Sequence, residues 1–173
     1  SIEFLISYLG TVSAGHVAHL ISTKISKANL ESQIKSSNPE IILTKEKFMH
    51  EFEGLDLRRG SLIEYSDMEK NEDVRINRKP KMNDYAYLLF TSGTTSEPKG
   101  VAITHSQSEF TTNNIIKILD YNSSDVNMVP IPFFHSFGLG CVHTSIFTGA
   151  SLIIQKNTSD ISNMLDIIEN NKV

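Results

Sequence analysis

Ten consecutive residues, Thr91-Ser92-Gly93-Thr94-Thr95-Ser96-Glu97-Pro98-Lys99-Gly100, hold five hydroxyls, two glycines and one lysine directly after the apolar run from Tyr85 to Phe90. This is a phosphate-binding composition. Backbone N–H groups must come close to an anionic oxygen, which Gly93 permits; hydroxyls adapt to several oxygens, and Lys99 balances their charge. A Ser/Thr/Gly run between two strands also makes an ordinary turn, so composition alone leaves both uses open. The segment is not a P-loop, because no Gly-Lys-Ser/Thr closes it and a short strand, Val101 to Thr104, follows where a P-loop has a helix. A second chemical element is Pro130-Ile131-Pro132-Phe133-Phe134-His135-Ser136-Phe137-Gly138-Leu139. A lone histidine in such an apolar run is often a packed core residue, and His135 gains a functional reading only beside the loop upstream.

Other constellations carry less. His16 and His19 lie close in sequence, but the segment reads as loop and strand without neighbouring carboxylates, and no metal site is expected. No Gly-x-Ser-x-Gly elbow supports serine hydrolase chemistry. The single cysteine, Cys141, allows neither a disulfide framework nor a cysteine-based zinc site and suits a reducing compartment, so a cytoplasmic location is expected. Asn122-Ser123-Ser124 and Asn157-Thr158-Ser159 match glycosylation triplets, which a cytoplasmic chain does not use.

The elements that must hold these residues alternate in kind. Ile2, Leu5, Ile6, Leu9 and Val12 recur at helical spacing before a stop at Gly15, and Val17 to Ile21 reads as a short strand. Ser26 caps a helix carrying Ala28, Leu30 and Ile34, which Asn38 and Pro39 end. Strands follow at Glu40 to Thr44 and, more weakly, at Leu62 to Tyr65. The charged stretch 66–83 has few apolar anchors and is expected to be an exposed internal linker. After the strand Tyr85 to Phe90, the loop and the strand Val101 to Thr104 comes a helix from Ser106 to Leu119, with Ile115, Ile118 and Leu119 as its inner face. A strand at Asn127 to Pro130, a helix from Phe137 to Thr148, a strand at Ser151 to Gln155 and an amphipathic helix through Ile161, Met164, Leu165 and Ile168 complete the chain. Alternation of this kind gives an α/β fold: a partly parallel sheet flanked by helices.

At 173 residues, 39% hydrophobic and 21% charged, the chain suffices for one α/β core. Its net charge of -4 offers no attraction for nucleic acid, and its apolar runs fall far short of the roughly 20 residues that span a membrane. Both ends start and stop inside structural elements, so residues 1–173 read as a partial domain truncated at each end.

The segment Tyr85 to His105 resembles the signature region of the adenylate-forming superfamily: acyl- and aryl-CoA synthetases, luciferases and peptide-synthetase adenylation domains. The family form is Ser/Thr-Ser-Gly-Thr-Thr-Gly-x-Pro-Lys-Gly, and this chain departs from it only at Ser96, where the family has glycine. Pro130 to Leu139 is similar to the Pro-x-x-His-x-x-Gly-Leu element of members that activate acyl and aryl acids. The early α/β units fit more loosely; His19-Leu20-Ile21-Ser22 runs where the family has a proline.

The resemblance implies a subdomain of that family's large domain and an AMP-binding enzyme that joins a carboxylic acid to ATP, releasing pyrophosphate, before acyl transfer to CoA or a phosphopantetheine arm on a carrier protein. It assigns Thr91, Ser92, Gly93, Thr94, Thr95, Ser96, Lys99 and Gly100 to the ATP phosphates. Lys99 and His135 become the catalytic candidates, and Phe134, His135 and Gly138 walls of the acyl pocket. Adenylation domains for α-amino acids carry an Asp near the pocket; none lies between Val126 and Gln155, so a fatty or aromatic acid is the expected substrate. No Tyr-Gly-x-Thr-Glu, Gly-Asp ribose element or late catalytic lysine occurs, so the Mg²⁺ ligands are expected mostly outside this chain. The chain then corresponds to roughly the middle third of a longer enzyme and does not catalyse adenylation alone, and its open edges can pair with another copy in a homo-oligomer. The alternative is a non-catalytic nucleotide-binding or structural module of the same fold.

Overall fold

Ser26 accepts a hydrogen bond from the Asn29 N–H, and Asn38 adopts the left-handed region at φ 45, so the helix between them begins and ends where capping chemistry requires. The computed structural model describes residues 1–57, 61–68, 79–91, 98–155 and 159–173. Its elements run α1 (Ile2–Ser13), β1 (Ala18–His19), α2 (Lys27–Ser37), β2 (Ile41–Thr44), a 3₁₀ helix over Glu46–Phe52, β3 (Ser61–Glu64) and α3 (Tyr65–Met68). They continue with β4 (Tyr85–Thr91), β5 (Lys99–Thr104), α4 (His105–Leu119), β6 (Val126–Val129), α5 (Ser136–Thr148), β7 (Ser151–Ile154) and α6 (Ile161–Asn171). This is the mixed α/β architecture that the alternation implies. Where the sequence suggests one core, the chain divides into two compact units, Ile2–Ala102 and Ile103–Val173.

In the first unit β1, β4 and β5 form a sheet in that order, with β1 and β4 parallel and His19 opposite Leu88. Side chains alternate across a sheet, so His19, Leu88 and Phe90 share one face while Tyr87 lies on the other. Helix α1 packs on the Tyr87 face, where the Tyr8 and Tyr87 rings meet edge to face at 6.1 Å. Helix α2 reaches the opposite face through Gln33 and Ser37. A parallel pair, β2 and β3, runs in register from Ile41–Ser61 to Thr44–Glu64. It packs with α2 through Leu30, Ile34 and Ile42, joined by Ile21, Ile25, Phe52, Leu55, Leu57 and Leu62. The 3₁₀ helix has no periodic sequence signal; Lys27 Nζ donates to the carbonyls of Glu51 (2.5 Å) and Glu53 (2.8 Å), and so caps its end from α2. Of the stretch 66–83, the first residues lie in α3, residues 69–78 fall outside the described set, and 79–83 are mostly exposed.

The second unit pairs β6 and β7 in parallel, from Val126–Ser151 to Val129–Ile154, with α5 packed on both strands. Its interior holds Val129, Phe133, Leu139, Val142 and the hydroxyls of Thr144 and Ser145. Helix α4 opens with a capping box, Thr104 and Gln107 each bonding the other's backbone N–H. Its inner face differs from the sequence expectation: Ile118 is 79% exposed and Leu119 is also exposed, whereas Thr112 is buried and Ser108 Oγ lies 3.2 Å from His143 Nδ1 on α5. Ile115, the third expected residue, does face α5, its Cδ1 4.0 Å from where a Cβ on Gly140 would lie; the rest of the contact is made by small and polar groups, which apolar periodicity cannot register. On α6 the apolar stripe forms as expected, yet no residue of the helix is buried and Leu165 is 60% exposed. No helix among the described residues is long and apolar enough to cross a membrane.

Candidate functional site

Strand β4 ends at Thr91 and β5, its neighbour in the sheet, begins at Lys99, so the two ends of the hydroxyl-rich segment stand on adjacent strands. Thr91 and Lys99 are both exposed, and Thr91 Oγ1 donates a long hydrogen bond of 3.5 Å to the Lys99 carbonyl across the mouth. Ser92, Gly93, Thr94, Thr95 and Ser96 lie outside the described residues.

Gly100 has a packing reason of its own. A Cβ there would stand 3.1 Å from the tip of the Phe90 ring and 3.2 Å from Leu88 Cδ1, so these two side chains of β4 lean over the bare backbone of β5 beside them. The apolar run Tyr85 to Phe90 thus does more than fill a core, since two of its members cover the start of the neighbouring strand at Gly100. The signal was present in the period-two spacing of Leu88 and Phe90, but only the strand order reveals that Gly100 meets them.

In the second unit, β6 leads through Pro130 and Pro132 into a turn closed by the His135 N–H donating to the Pro132 carbonyl at 3.1 Å. His135 is the residue before α5, extended at φ -96 and ψ 143, and its carbonyl accepts the first helical bond from Leu139 N at 3.0 Å. No side chain caps this end, leaving the first-turn N–H groups without a side-chain acceptor. His135 is exposed, unlike a packed core histidine, and its ring rests against that of half-buried Phe134 at 4.5 Å.

Gly138 lies buried in the first turn of α5. A Cβ there would come within 2.5 Å of the Pro132 carbonyl oxygen and 2.8 Å of that of Ile131, so only glycine lets the helix sit against the turn. Phe134, His135 and Gly138 therefore belong to one local structure, as Thr91, Lys99 and Gly100 do in the first unit. Among the described residues no three His, Cys, Asp or Glu side chains gather as a metal site. Two further histidines are half-buried and neutral: burial pushes His19 and His143 each down to about 4, against a Gln33 bond that pulls His19 the other way.

A profile of AMP-binding enzymes matches residues 1–173 in full. The chain belongs to the AMP-binding enzyme family. Among its relatives in that family, 2-succinylbenzoate–CoA ligase of Bacillus licheniformis is 28% identical over 137 residues, covering 79% of this chain and 29% of its own. 4-Coumarate:CoA ligase 1 of Petunia hybrida is 26% identical over 191 residues, covering 99% and 34%. The structure of o-succinylbenzoate coenzyme A synthetase from Bacillus subtilis in complex with ATP and magnesium superposes with a TM-score of 0.89 at 26% identity, over 100% of this chain and 36% of that one. This AMP-binding chain thus spans about 30% of the length of the curated relatives it matches.

Proposed function

We propose that this AMP-binding chain is the phosphate-loop part of an ATP-dependent ligase that activates an aryl or acyl carboxylic acid as its adenylate. The observation that carries the reading is the pair of strand ends at Thr91 and Lys99, exposed side by side where the hydroxyl-rich loop leaves and returns. Both named ligases above act on aromatic acids, which favours an aryl acid over a fatty acid here.

The reaction is displacement at the α-phosphate: a carboxylate oxygen forms the new P–O bond and pyrophosphate leaves with its electron pair. Little covalent work falls to the protein, so positioning and charge neutralisation dominate. Lys99 supplies a fixed cation for the β- and γ-phosphates, and Thr91 with the loop hydroxyls and N–H groups supplies donors. His135 stands beside the uncapped start of α5, where partial positive charge favours the carboxylate or the α-phosphate. Phe134 and the close-packed turn at Gly138 form one wall for the acid. Magnesium, held mainly by residues beyond this chain, would add charge neutralisation at the phosphates. The acyl group then passes to the thiol of CoA or of a carrier's phosphopantetheine arm, in the cytoplasm, and residues 1–173 alone do not turn over.

Acid-dependent exchange of labelled pyrophosphate into ATP tests the reading. In the complete ligase Lys99→Ala should slow exchange by about 100-fold, the range seen on removing one charge-stabilising donor. Unchanged exchange would remove the phosphate-loop assignment. A nucleotide-binding module without catalysis would bind ATP and show no exchange with any acid.

A further inference from the structure

His19 stands on β1, and its surroundings tie it to the strand ends at Thr91 and Lys99. Its ring is mostly buried between α2 and the sheet. Nε2–H donates to Gln33 Oε1 at 3.2 Å, and Nδ1 lies 3.1 Å from Ser37 Oγ, whose own proton goes to the Gln33 carbonyl at 2.9 Å. Burial keeps the imidazole neutral near pH 7, so it keeps its bond to Gln33 and a flat apolar face. That face lies on Phe90, centroid to centroid 4.9 Å at 39°, within the range of aromatic pairs.

Phe90 is half-buried, and its ring leans towards the neighbouring strand. On its other side is the β5 backbone at Gly100, which leaves 3.1 Å between the ring tip and the position of a Cβ. Its chain neighbour is Thr91, and the neighbour of Gly100 is Lys99. One aromatic ring therefore touches the support of both strand ends that carry the loop. The backbone adds a second tie, since β1 pairs His19 with Leu88 and Leu20 N donates to the Leu88 carbonyl at 3.3 Å.

We infer that His19 is a positioning residue for ATP: held by Gln33, its ring fixes Phe90 and through it the strand ends at Thr91 and Lys99. The inference rests on the phosphate-loop reading of the preceding subsection. An aliphatic residue at position 19 would leave the buried Gln33 amide without this partner, whereas a purely polar residue would leave Phe90 free to shift. A shift of about 1 Å in a positioning group suffices to cost roughly two orders of magnitude in rate when it misaligns phosphates.

The test separates the two halves of the ring's role in the complete ligase, using pyrophosphate exchange and thermal melting. His19→Ala should raise the KM for ATP about tenfold with the KM for the acid unchanged, part of the loss that full misalignment would bring. His19→Phe restores a ring against Phe90 and should return the KM for ATP towards the wild-type value, although its Tm stays low. His19→Gln keeps polar atoms for Gln33 and should restore Tm more than the KM for ATP. A KM for ATP that follows Tm through all three variants, or that does not change in any, overturns the inference. If Lys99→Ala leaves the exchange rate unchanged, the phosphate-loop reading itself has failed, whatever the His19 variants do.

Discussion

Gly100 and Gly138 both stand in motif positions, yet they are required for different reasons. At Gly138 the obstacle to a side chain is backbone: two carbonyl oxygens, of Ile131 and Pro132, within 2.8 Å of where Cβ would lie. At Gly100 the obstacle is the end of a phenylalanine ring and a leucine methyl, at 3.1 and 3.2 Å. A carbonyl held in a turn cannot withdraw without breaking the turn, whereas a ring can tilt if its far side allows. The α5 turn is therefore a rigid joint, and the contact at Gly100 is a packed joint whose stiffness depends on its neighbours, His19 above all.

That contrast sets an order of effects. Gly138→Ala should be the most damaging change, destabilising its unit by about 3 kcal/mol, as overpacking against fixed atoms does. Denaturant midpoints of the variant and the wild type check it. A loss below about 1 kcal/mol would mean that the turn yields and the joint is not rigid. Acid comes next and acts on both regions. His19 and His143 have folded-state values near 4 against about 6.5 unfolded, so the unfolded chain binds protons that the folded chain does not. Stability is full above about pH 6.5 and falls as pH drops towards 4, by on the order of 2 to 3 kcal/mol per ring at the lower limit. Urea unfolding at pH 7 and pH 5 should show the loss, and replacing either histidine should flatten it. Gly100→Ala is the mildest, at about 1 kcal/mol, because Phe90 can give by a few tenths of an ångström. Its stability cost should grow in His19→Phe, where the larger ring leaves Phe90 less freedom; simple additivity of the two changes would break the link between them.

Much of this was legible from residues. The β4–loop–β5 arrangement follows from an apolar run, a polar glycine-bearing loop and a second β-branched run. Ser26 and Asn38 mark helix ends by local chemistry that does not depend on the rest of the fold. What escaped the sequence was made by tertiary contact. The 3₁₀ helix at Glu46–Phe52 is secured by Lys27 from another element, and α4 meets α5 through the Ser108–His143 contact as well as the expected Ile115, while Ile118 and Leu119, to which apolar periodicity also pointed, stay exposed. His19 illustrates the same limit within the site. Its spacing to His16 drew attention to metal binding, but its partners are a glutamine, a serine and a phenylalanine brought together by α2 and β4.

The central claim is that the loop between Thr91 and Lys99 holds ATP for attack by a carboxylate at the α-phosphate. Mass-spectrometric detection of products from the complete ligase, incubated with ATP, magnesium and a panel of aromatic acids, tests it most directly. An acyl-adenylate with matching pyrophosphate, formed only with acid present and lost in Lys99→Ala, is the predicted result. ADP and phosphate in place of AMP-linked product, or an adenylate that persists undiminished in Lys99→Ala, would contradict it.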